Sequence, residues 1–533
     1  MPELPLIARA RGHATSVAFR SPTGDTTYQE LLDRSAALAT TLLAGADDLK
    51  EARVALLAPA GPGYVAAQWG LWRAGAVKVP ICLTATEPEW EYALTDSGAT
   101  VVLADAASAQ KIAPLCARLG LRLVDSDAAA GPAGKLPELT PARRAMILYT
   151  SGTTSKPKGV VTTHAHIAAQ VESLIQAWAW QATDRIPLFL PMHHIHGIIN
   201  VTSCALWAGA TIEPFAKFDQ PAILARVQAD AYTLFMAVPT IYVKLIQALE
   251  AAAPAERAAI VSGFQRLRLM VSGSAALPAS VHEQWTALTG QKLLERYGMT
   301  EIGMAISNPL RGERRPGAVG QALPGVEVRL KAENGDLITA EDTPGEIQVR
   351  GPNVFTEYWG KPAATAESFE SGGWYRTGDM AVLETGYYRI MGRLSVDIIK
   401  SGGYKLSALE IEAALLEHPA VAECAVIGMP DDTWGEAVSA AIVTKPGATL
   451  TLPALREWCK SRLSVYKVPQ RLAVVPALPR NAMGKVTSPP CAPSSAESRT
   501  HPCACSSPSS PSAPPSFAPK ARKVGIRTTS GCA

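Results

Sequence analysis

A surplus of one charge is missing from this 533-residue chain: 50 lysines and arginines face 47 aspartates and glutamates. An excess of three positive charges over such a length excludes a dedicated nucleic-acid binder. Charged residues are sparse, at 18%, beside 47% hydrophobic residues. That balance excludes a disordered or fibrous chain and leaves material for large buried cores. Unbroken apolar runs of membrane length are also lacking. Val54–Trp72 is interrupted by Pro59, Gly61, Pro62 and Gly63, and Ile186–Ile212 by Pro191, three histidines, Asn200 and Gly209. Both read as buried strand–loop–helix pieces rather than spans. Met1 to Ser16 has no apolar core, which argues against a secretory signal, and Arg9 and Arg11 make only a weak case for a mitochondrial leader.

Paired cysteines are absent from the body of the chain. Cys82, Cys116, Cys204, Cys424 and Cys459 are far apart in apolar contexts, as buried thiols are. Cys503 and Cys505 are close, but C-x-C alone is a poor metal signature. A reducing cytoplasm is the expected compartment. No fixed-period repeat is present.

Short apolar runs alternate with amphipathic stretches up to about Arg480. Arg53–Leu57, Thr100–Ala104, Met146–Tyr149, Arg266–Val271 and Glu346–Arg350 read as strands, and Pro221–Ala229 and Pro239–Ala252 as helices. This is an α/β pattern. After a strand at Tyr387–Arg393 the character changes. Ser407 with Glu410 forms a capping box opening a helix through Glu417, and Val421–Ile427 is a strand, which suits a small α+β domain. From Ser488 onward there are nine prolines, eleven serines and one aromatic residue, so disorder is expected. That tail carries five basic residues and one acidic one, leaving residues 1–487 with a single excess negative charge.

The strongest local signal is Tyr149-Thr-Ser-Gly-Thr-Thr-Ser-Lys-Pro-Lys-Gly159 after a strand. Small hydroxyls, backbone amides and ammonium groups in one loop suit a polyphosphate. It is not a Walker loop, because Pro157 stands where the second glycine belongs. Arg296-Tyr-Gly-Met-Thr-Glu301 offers a carboxylate beside a hydroxyl for Mg²⁺ and an aromatic ring for a base. Tyr375-Arg-Thr-Gly-Asp379 places an acid after a turn. Gly392-Arg393 and Gly402-Gly403-Tyr404-Lys405 follow. Three histidines in Met192-His193-His194-Ile195-His196-Gly197 lie too close to share one tetrahedral metal. His282-Glu283 lacks the second histidine of a zinc protease.

Taken in this order, and with Pro479-Arg-Asn-Ala-Met-Gly-Lys-Val486, these motifs resemble the adenylate-forming superfamily of acyl-CoA synthetases, luciferases and peptide-synthetase adenylation domains, over Thr27 to Thr487. Ser155 departs from the glycine usual there. The resemblance implies a large, multi-subdomain N-terminal adenylation domain (1–394), a small mobile α+β C-terminal domain (395–487) and a Pro/Ser-rich tail (488–533). It implies two steps: a carboxylate attacks the α-phosphate of ATP, releasing pyrophosphate, and the thiol of coenzyme A then displaces AMP. In that scheme Thr150, Ser151, Gly152, Thr153, Thr154, Lys156 and Lys158 cradle phosphates, Thr300 contacts phosphate and Glu301 holds Mg²⁺. Gly273, Ser274, Ala275 and Tyr297 enclose adenine, while Asp379 and Arg393 fix the ribose. Lys485 stabilises charge developing at the α-phosphate. The small domain rotates about Leu394–Val396, after which Gly402, Gly403 and Tyr404 shape the coenzyme A tunnel. Members of the superfamily commonly end in a short basic helix. The segment from Ser488 shows no helical periodicity, and a frame-shifted or otherwise non-homologous terminus is expected.

The acid is read from Arg296. A guanidinium beside an acyl tunnel is costly unless paired. A short dicarboxylate would supply the pair, one carboxylate being activated and the other gripped by the fork. Glu295–Gly303, Arg315–Gly320, Ala322–Gly325 and Gly392–Lys405 resemble the malonyl/methylmalonyl-CoA synthetases. The competing reading makes Arg296 a structural partner of Glu295 or another acid. His194 and His196 are expected either to touch the substrate or to pack in the core. The expected protein is thus an ATP-, Mg²⁺- and coenzyme A-dependent ligase of malonate or methylmalonate, a monomer or weak homo-oligomer with no membrane span. Its alternatives are a synthetase for another short or medium acid and a non-catalytic nucleotide-binding scaffold.

Overall fold

The computed structural model describes residues 3–127, 134–150, 156–394, 397–401, 404–431 and 433–480. Its largest sheet has seven strands in the order Glu357–Tyr358, Lys158–Thr163, Arg144–Thr150, Val77–Pro80, Arg53–Leu57, Val101–Ala104 and Arg122–Asp125. The last five run parallel, whereas the Lys158 and Glu357 strands are antiparallel to their neighbours. Val54 through Leu57 are buried, as expected of a parallel strand covered on both faces. Three further sheets share the main core. One runs Leu234–Ala237, Leu269–Ser272, Leu294–Met299, Gly303–Ser307, Gln321–Ala322. Another runs Gly24–Thr27, Val17–Ser21, Thr211–Pro214, Arg185–Leu188. The third is built around the long hairpin Trp374–Glu384 and Tyr387–Arg393.

A fifth sheet, containing Ile398–Ser401, Tyr404–Ser407, Val421–Asp431, Gly435–Thr444 and Arg471–Val474, has its own core of Ile399, Ile411, Leu415, Val438, Ile442 and Leu455. Among the described residues, Ile398 packs on Met380, Val382 and Met391 of the preceding hairpin, and polar links join the two. The Arg393 amide donates to Asp397 at 2.9 Å, and the Ser407 hydroxyl donates to the Met391 carbonyl.

Two local expectations are corrected. The strand expected from Arg266 begins only at Leu269, because Arg266 closes the helix Pro254–Arg266. Its guanidinium there bonds Asp230 and Ser262, the latter one helical turn back. At Ser407 only half of the capping box forms. The hydroxyl accepts from the Glu410 amide at 3.1 Å, but the Glu410 carboxylate takes Lys467 at 2.5 Å. A direct charge partner outbids the helix end. The charge-free stretch Val54–Trp72 is a strand followed by the helix Pro62–Arg73, and Ile186–Ile212 likewise breaks into strand, π-helix and helix. Among the described residues no helix is long and apolar enough to cross a membrane.

Asp184 ties two sheets together. It is 2% exposed and accepts hydrogen bonds from Thr233 Oγ1 and Arg268 Nε, both at 2.8 Å, and from the Gln181 amide. Asp184→Ala strands the Arg268 guanidinium, so a loss of about 3–5 kcal/mol in urea unfolding is expected; a change below about 1 kcal/mol would contradict this role.

Candidate active site

The phosphate-loop motif spans an antiparallel hairpin. Thr150 pairs with Lys158 and Tyr149 with Gly159, so the two stems bring Thr150 and Lys158 side by side; Ser151 to Ser155 lie outside the described residues. Gly159 is required by packing, since a Cβ there would stand 2.7 Å from Ile147 Cγ2. The hairpin is fastened by groups that no motif announced. Tyr92 donates to the Pro157 carbonyl at 2.7 Å, and Tyr149 to Asp96 at 2.8 Å. Lys361 reaches the other oxygen of Asp96 at 3.2 Å. Lys156 lies over the Tyr92 ring, 5.7 Å from its centroid.

Thr300 and Glu301 occupy the turn between Leu294–Met299 and Gly303–Ser307. The Phe355 amide donates to the Glu301 carbonyl at 2.8 Å, which fixes the turn. The Glu301 side chain is 5% exposed and accepts from Tyr358 at 3.0 Å; the Tyr358 oxygen lies 3.1 Å from that of Tyr375. Burial raises the Glu301 pKa, with the Tyr358 bond and the charges of Arg393 and Lys158 opposing it. Among the described residues no cation lies within ion-pair distance of Glu301. Lys158 sits instead over the Tyr358 ring, at 4.5 Å.

Asp379 and Arg393 face each other across the long hairpin and form an ion pair at 3.2 Å. Tyr297 donates to the other oxygen of Asp379 at 2.6 Å, so three residues from two sheets meet on one carboxylate. Tyr297, Thr300, Glu301, Asp379 and Arg393 thus share one neighbourhood. Tyr404 is exposed and stacked on Tyr466 at 4.5 Å. Gly402, Gly403 and Lys485 lie outside the described residues.

Arg296 is 4% exposed, and among the described residues no carboxylate lies within ion-pair distance of it. Glu295, its neighbour, leaves the strand on the opposite face, as successive strand residues do. Glu295 accepts from the Leu277 amide at 3.1 Å. The expected alternative of a Glu295–Arg296 salt bridge is therefore not formed. The guanidinium packs against Gly273, where a Cβ would stand 2.4 Å from Arg296 Cζ, so a side chain there would displace the arginine. Arg296 Nη2 donates to Ser274 Oγ at 3.3 Å, and Ser274 Oγ lies 3.1 Å from His196 Nδ1. Gly273 and Ser274, expected beside adenine, here touch Arg296 itself. Ser274 has φ +71°, a left-handed conformation that costs a non-glycine residue about 1–3 kcal/mol. Arg296 Nε, His196 Nε2 and one Glu295 oxygen are buried without a hydrogen-bond partner among the described residues. His196 opens a π-helix, His196–Ser203, and burial with the Arg296 charge pushes its pKa well down. The His194 ring packs 5.2 Å from that of His193.

Burial pushes the Glu295 carboxyl up to about 8, against the Leu277 amide and the Arg296 charge. An acid with a raised folded pKa binds more protons folded than unfolded. Its stabilising effect is therefore complete below the unfolded value and is lost as pH rises to about 8. Glu295→Gln should flatten this slope: urea midpoints of wild type fall relative to the variant between about pH 4.5 and 8. Parallel curves would show that Glu295 is ionised in the folded protein.

The AMP-binding enzyme model matches residues 6–359, and the AMP-binding enzyme C-terminal domain matches residues 410–485. The chain is 43% identical over 522 residues to the mitochondrial malonate–CoA ligase of Mus musculus, covering 91% of this chain and 89% of that protein. ATP-bound MatB from Rhodopseudomonas palustris superposes with a TM-score of 0.83 at 33% identity, covering 91% of this chain and 97% of MatB. A malonyl-CoA ligase in ternary product complex with methylmalonyl-CoA and AMP gives 0.65 at 36% identity, over 90% of this chain and all of that one. The chain belongs to the AMP-binding enzyme family.

Proposed function

We infer that the chain is an AMP-forming acid–thiol ligase that joins malonate to coenzyme A at the expense of ATP. The observation that carries the choice of acid is the buried Arg296 guanidinium, which has no acidic partner among the described residues. An unpaired buried charge is expensive, and a substrate carboxylate would remove that cost. A monocarboxylate spends its only carboxylate on adenylation and leaves the guanidinium bare. The names of the mouse relative and of the malonyl-CoA ligase structure support the same acid.

In this reading Thr150 to Lys158 surround the outer phosphates and Thr300 touches the transferred phosphoryl region. Asp379 accepts from the ribose hydroxyls, held by Arg393 and Tyr297, and Gly273 to Ala275 border the adenine. Glu301 fits Mg²⁺: among the described residues no cation lies within ion-pair distance of its buried carboxylate, and Mg²⁺ is commonly held by one or two carboxylates plus substrate phosphates. When bound, that ion screens phosphate charge. Tyr358 orients the Glu301 carboxylate by its hydrogen bond. Lys485 supplies positive charge to the attacked phosphorus, where charge grows in the transition state. Residues 395–487 form the mobile domain. Its separate core supports rotation about Leu394–Val396, which would withdraw Lys485 and bring Gly402, Gly403 and Tyr404 to the thiol channel. Methylmalonate differs by one methyl group and keeps both carboxylates, so it is a second substrate.

For the compartment, Cys82, Cys116, Cys204, Cys424 and Cys459 are free thiols, which supports the reducing cytoplasm. A tagged full-length chain distributed with a cytosolic marker is the expected result, and co-localisation with a matrix marker would overturn it.

The acid is tested by AMP release with coenzyme A over a panel of acids. Malonate is expected to exceed propionate and hexanoate at least about a hundredfold in kcat/KM. Arg296→Ala, and Arg296→Met as a check on packing, should raise the malonate KM about a hundredfold while leaving propionate within about threefold. Faster turnover of propionate than of malonate by the wild type would defeat the reading.

A further inference from the structure

We propose that Ser407 is a positioning residue whose hydroxyl latches the small domain to the large one in the orientation seen here, the orientation that serves attack on ATP. This rests on the proposed rotation about Leu394–Val396 and deepens it by naming what holds the domain before it turns.

The bond spans the pivot. Ser407 ends the strand Tyr404–Ser407 and caps the helix Ala408–Leu416, both in the small domain. Met391 lies in Tyr387–Arg393, on the other side of Leu394–Val396. A carbonyl only accepts and a backbone amide only donates. Ser407 Oγ therefore gives its proton to the Met391 oxygen and receives that of the Glu410 amide at 3.1 Å. Ser407 is 2% exposed, so water does not compete for the hydroxyl proton.

A β-bulge presents that carbonyl. Along the long hairpin Met380 pairs with Gly392 and Ala381 with Ile390, which leaves Met391 as an extra residue without a partner in the register. Gly392, beside it, has φ +125°, and a Cβ there would stand 2.5 Å from Asp397 Cβ. Glycine thus lets Asp397 come close enough for its carboxylate to accept from the Arg393 amide. Apolar packing alone would not fix the domain angle. Ile398 packs on Met380, Val382 and Met391, but such contact is non-directional and tolerates sliding, whereas a hydrogen bond weakens steeply off its axis. Rotation carries Ser407 away from Met391, so this bond breaks before the small domain turns. In the same reading Tyr404 reaches the thiol channel after the turn; here it is exposed, so the latched form is the earlier one.

The test compares the full-length wild type with Ser407→Ala, Ser407→Gly and Ser407→Thr. Malonate-dependent exchange of pyrophosphate into ATP reports the first step, and consumption of preformed malonyl-adenylate by coenzyme A reports the second. The alanine and glycine variants should lose about fivefold in exchange kcat, the worth of one buried hydrogen bond, with ATP and malonate KM within about twofold and the coenzyme A step not slowed. Trypsin should cleave after Arg393 about fivefold faster in both. Threonine keeps the hydroxyl and should stay within about twofold of wild type throughout. A helix cap without a latch gives a different pattern, because alanine forfeits more of a helix end than glycine does: exchange would fall in Ser407→Ala and hold in Ser407→Gly. That pattern would overturn the proposal, as would unchanged exchange or unchanged cleavage in both variants. Val396→Pro, which stiffens the pivot, separates the two levels: it should slow the coenzyme A step at least about tenfold and leave exchange within about threefold. If it does so while the Ser407 variants leave exchange unchanged, the latch alone fails. If Val396→Pro leaves the coenzyme A step at the wild-type rate, the rotation fails with it.

Discussion

One guanidinium, buried with no acid within ion-pair distance among the described residues, sets the terms for everything around it. Arg296 stands on a central strand where the chain could have placed a neutral side chain, and its surroundings are arranged to make the charge tolerable. Gly273 lacks the Cβ that would collide with it. Ser274 adopts a strained backbone to offer it an oxygen. His196 stays neutral beside it, its own pKa driven down by burial and by that charge. Glu295, one residue away, does not neutralise it, because a strand turns consecutive side chains to opposite faces. The compensation inside the protein is partial. In the proposed function a ligand with a free carboxylate would complete it, turning a structural cost into substrate selectivity.

The nucleotide side is assembled by a different device, two hairpins and a turn drawn from separate sheets. Cross-strand pairing alone puts Thr150 opposite Lys158 and Asp379 opposite Arg393. Tyr297 then bridges sheets by donating to Asp379, and Tyr358 does the same for Glu301. Arg296 and Tyr297 are neighbours on one strand, so the proposed acid end and nucleotide end of the site would share a single backbone element. A shift of that strand moves both together.

Much of this was legible in the sequence, for reasons specific to each element. Arg53–Leu57 and Tyr387–Arg393 were read to the residue because each is a short apolar or β-prone run between turn signals. Arg266 was misplaced because a helix end and a strand start are separated there by two residues that lack a breaker. The capping box at Ser407 was half right, since Lys467 lies 57 positions from Glu410 and no local pattern announces it. Glu301, Asp379, Arg393 and Tyr297, which the structure brings into one neighbourhood, stand in contiguous motifs, and that is why the sequence names them as candidates. Tyr358 and Asp96 were missed because tertiary packing alone brings them in, and Tyr375 opened a quoted motif without a role of its own. Ser274 was assigned to the adenine side from its motif, and its contact with Arg296 needed coordinates, as the two are 22 residues apart.

The central claim is that the site pays for Arg296 with a substrate carboxylate, and malonamate tests it most directly. This acid matches malonate in size and keeps one reactive carboxylate, but its distal group is a neutral amide. The account predicts that the wild type favours malonate over malonamate by about a hundredfold or more in kcat/KM, and that Arg296→Met brings the two acids within a few-fold of each other. Equal turnover of both acids by the wild type would contradict it.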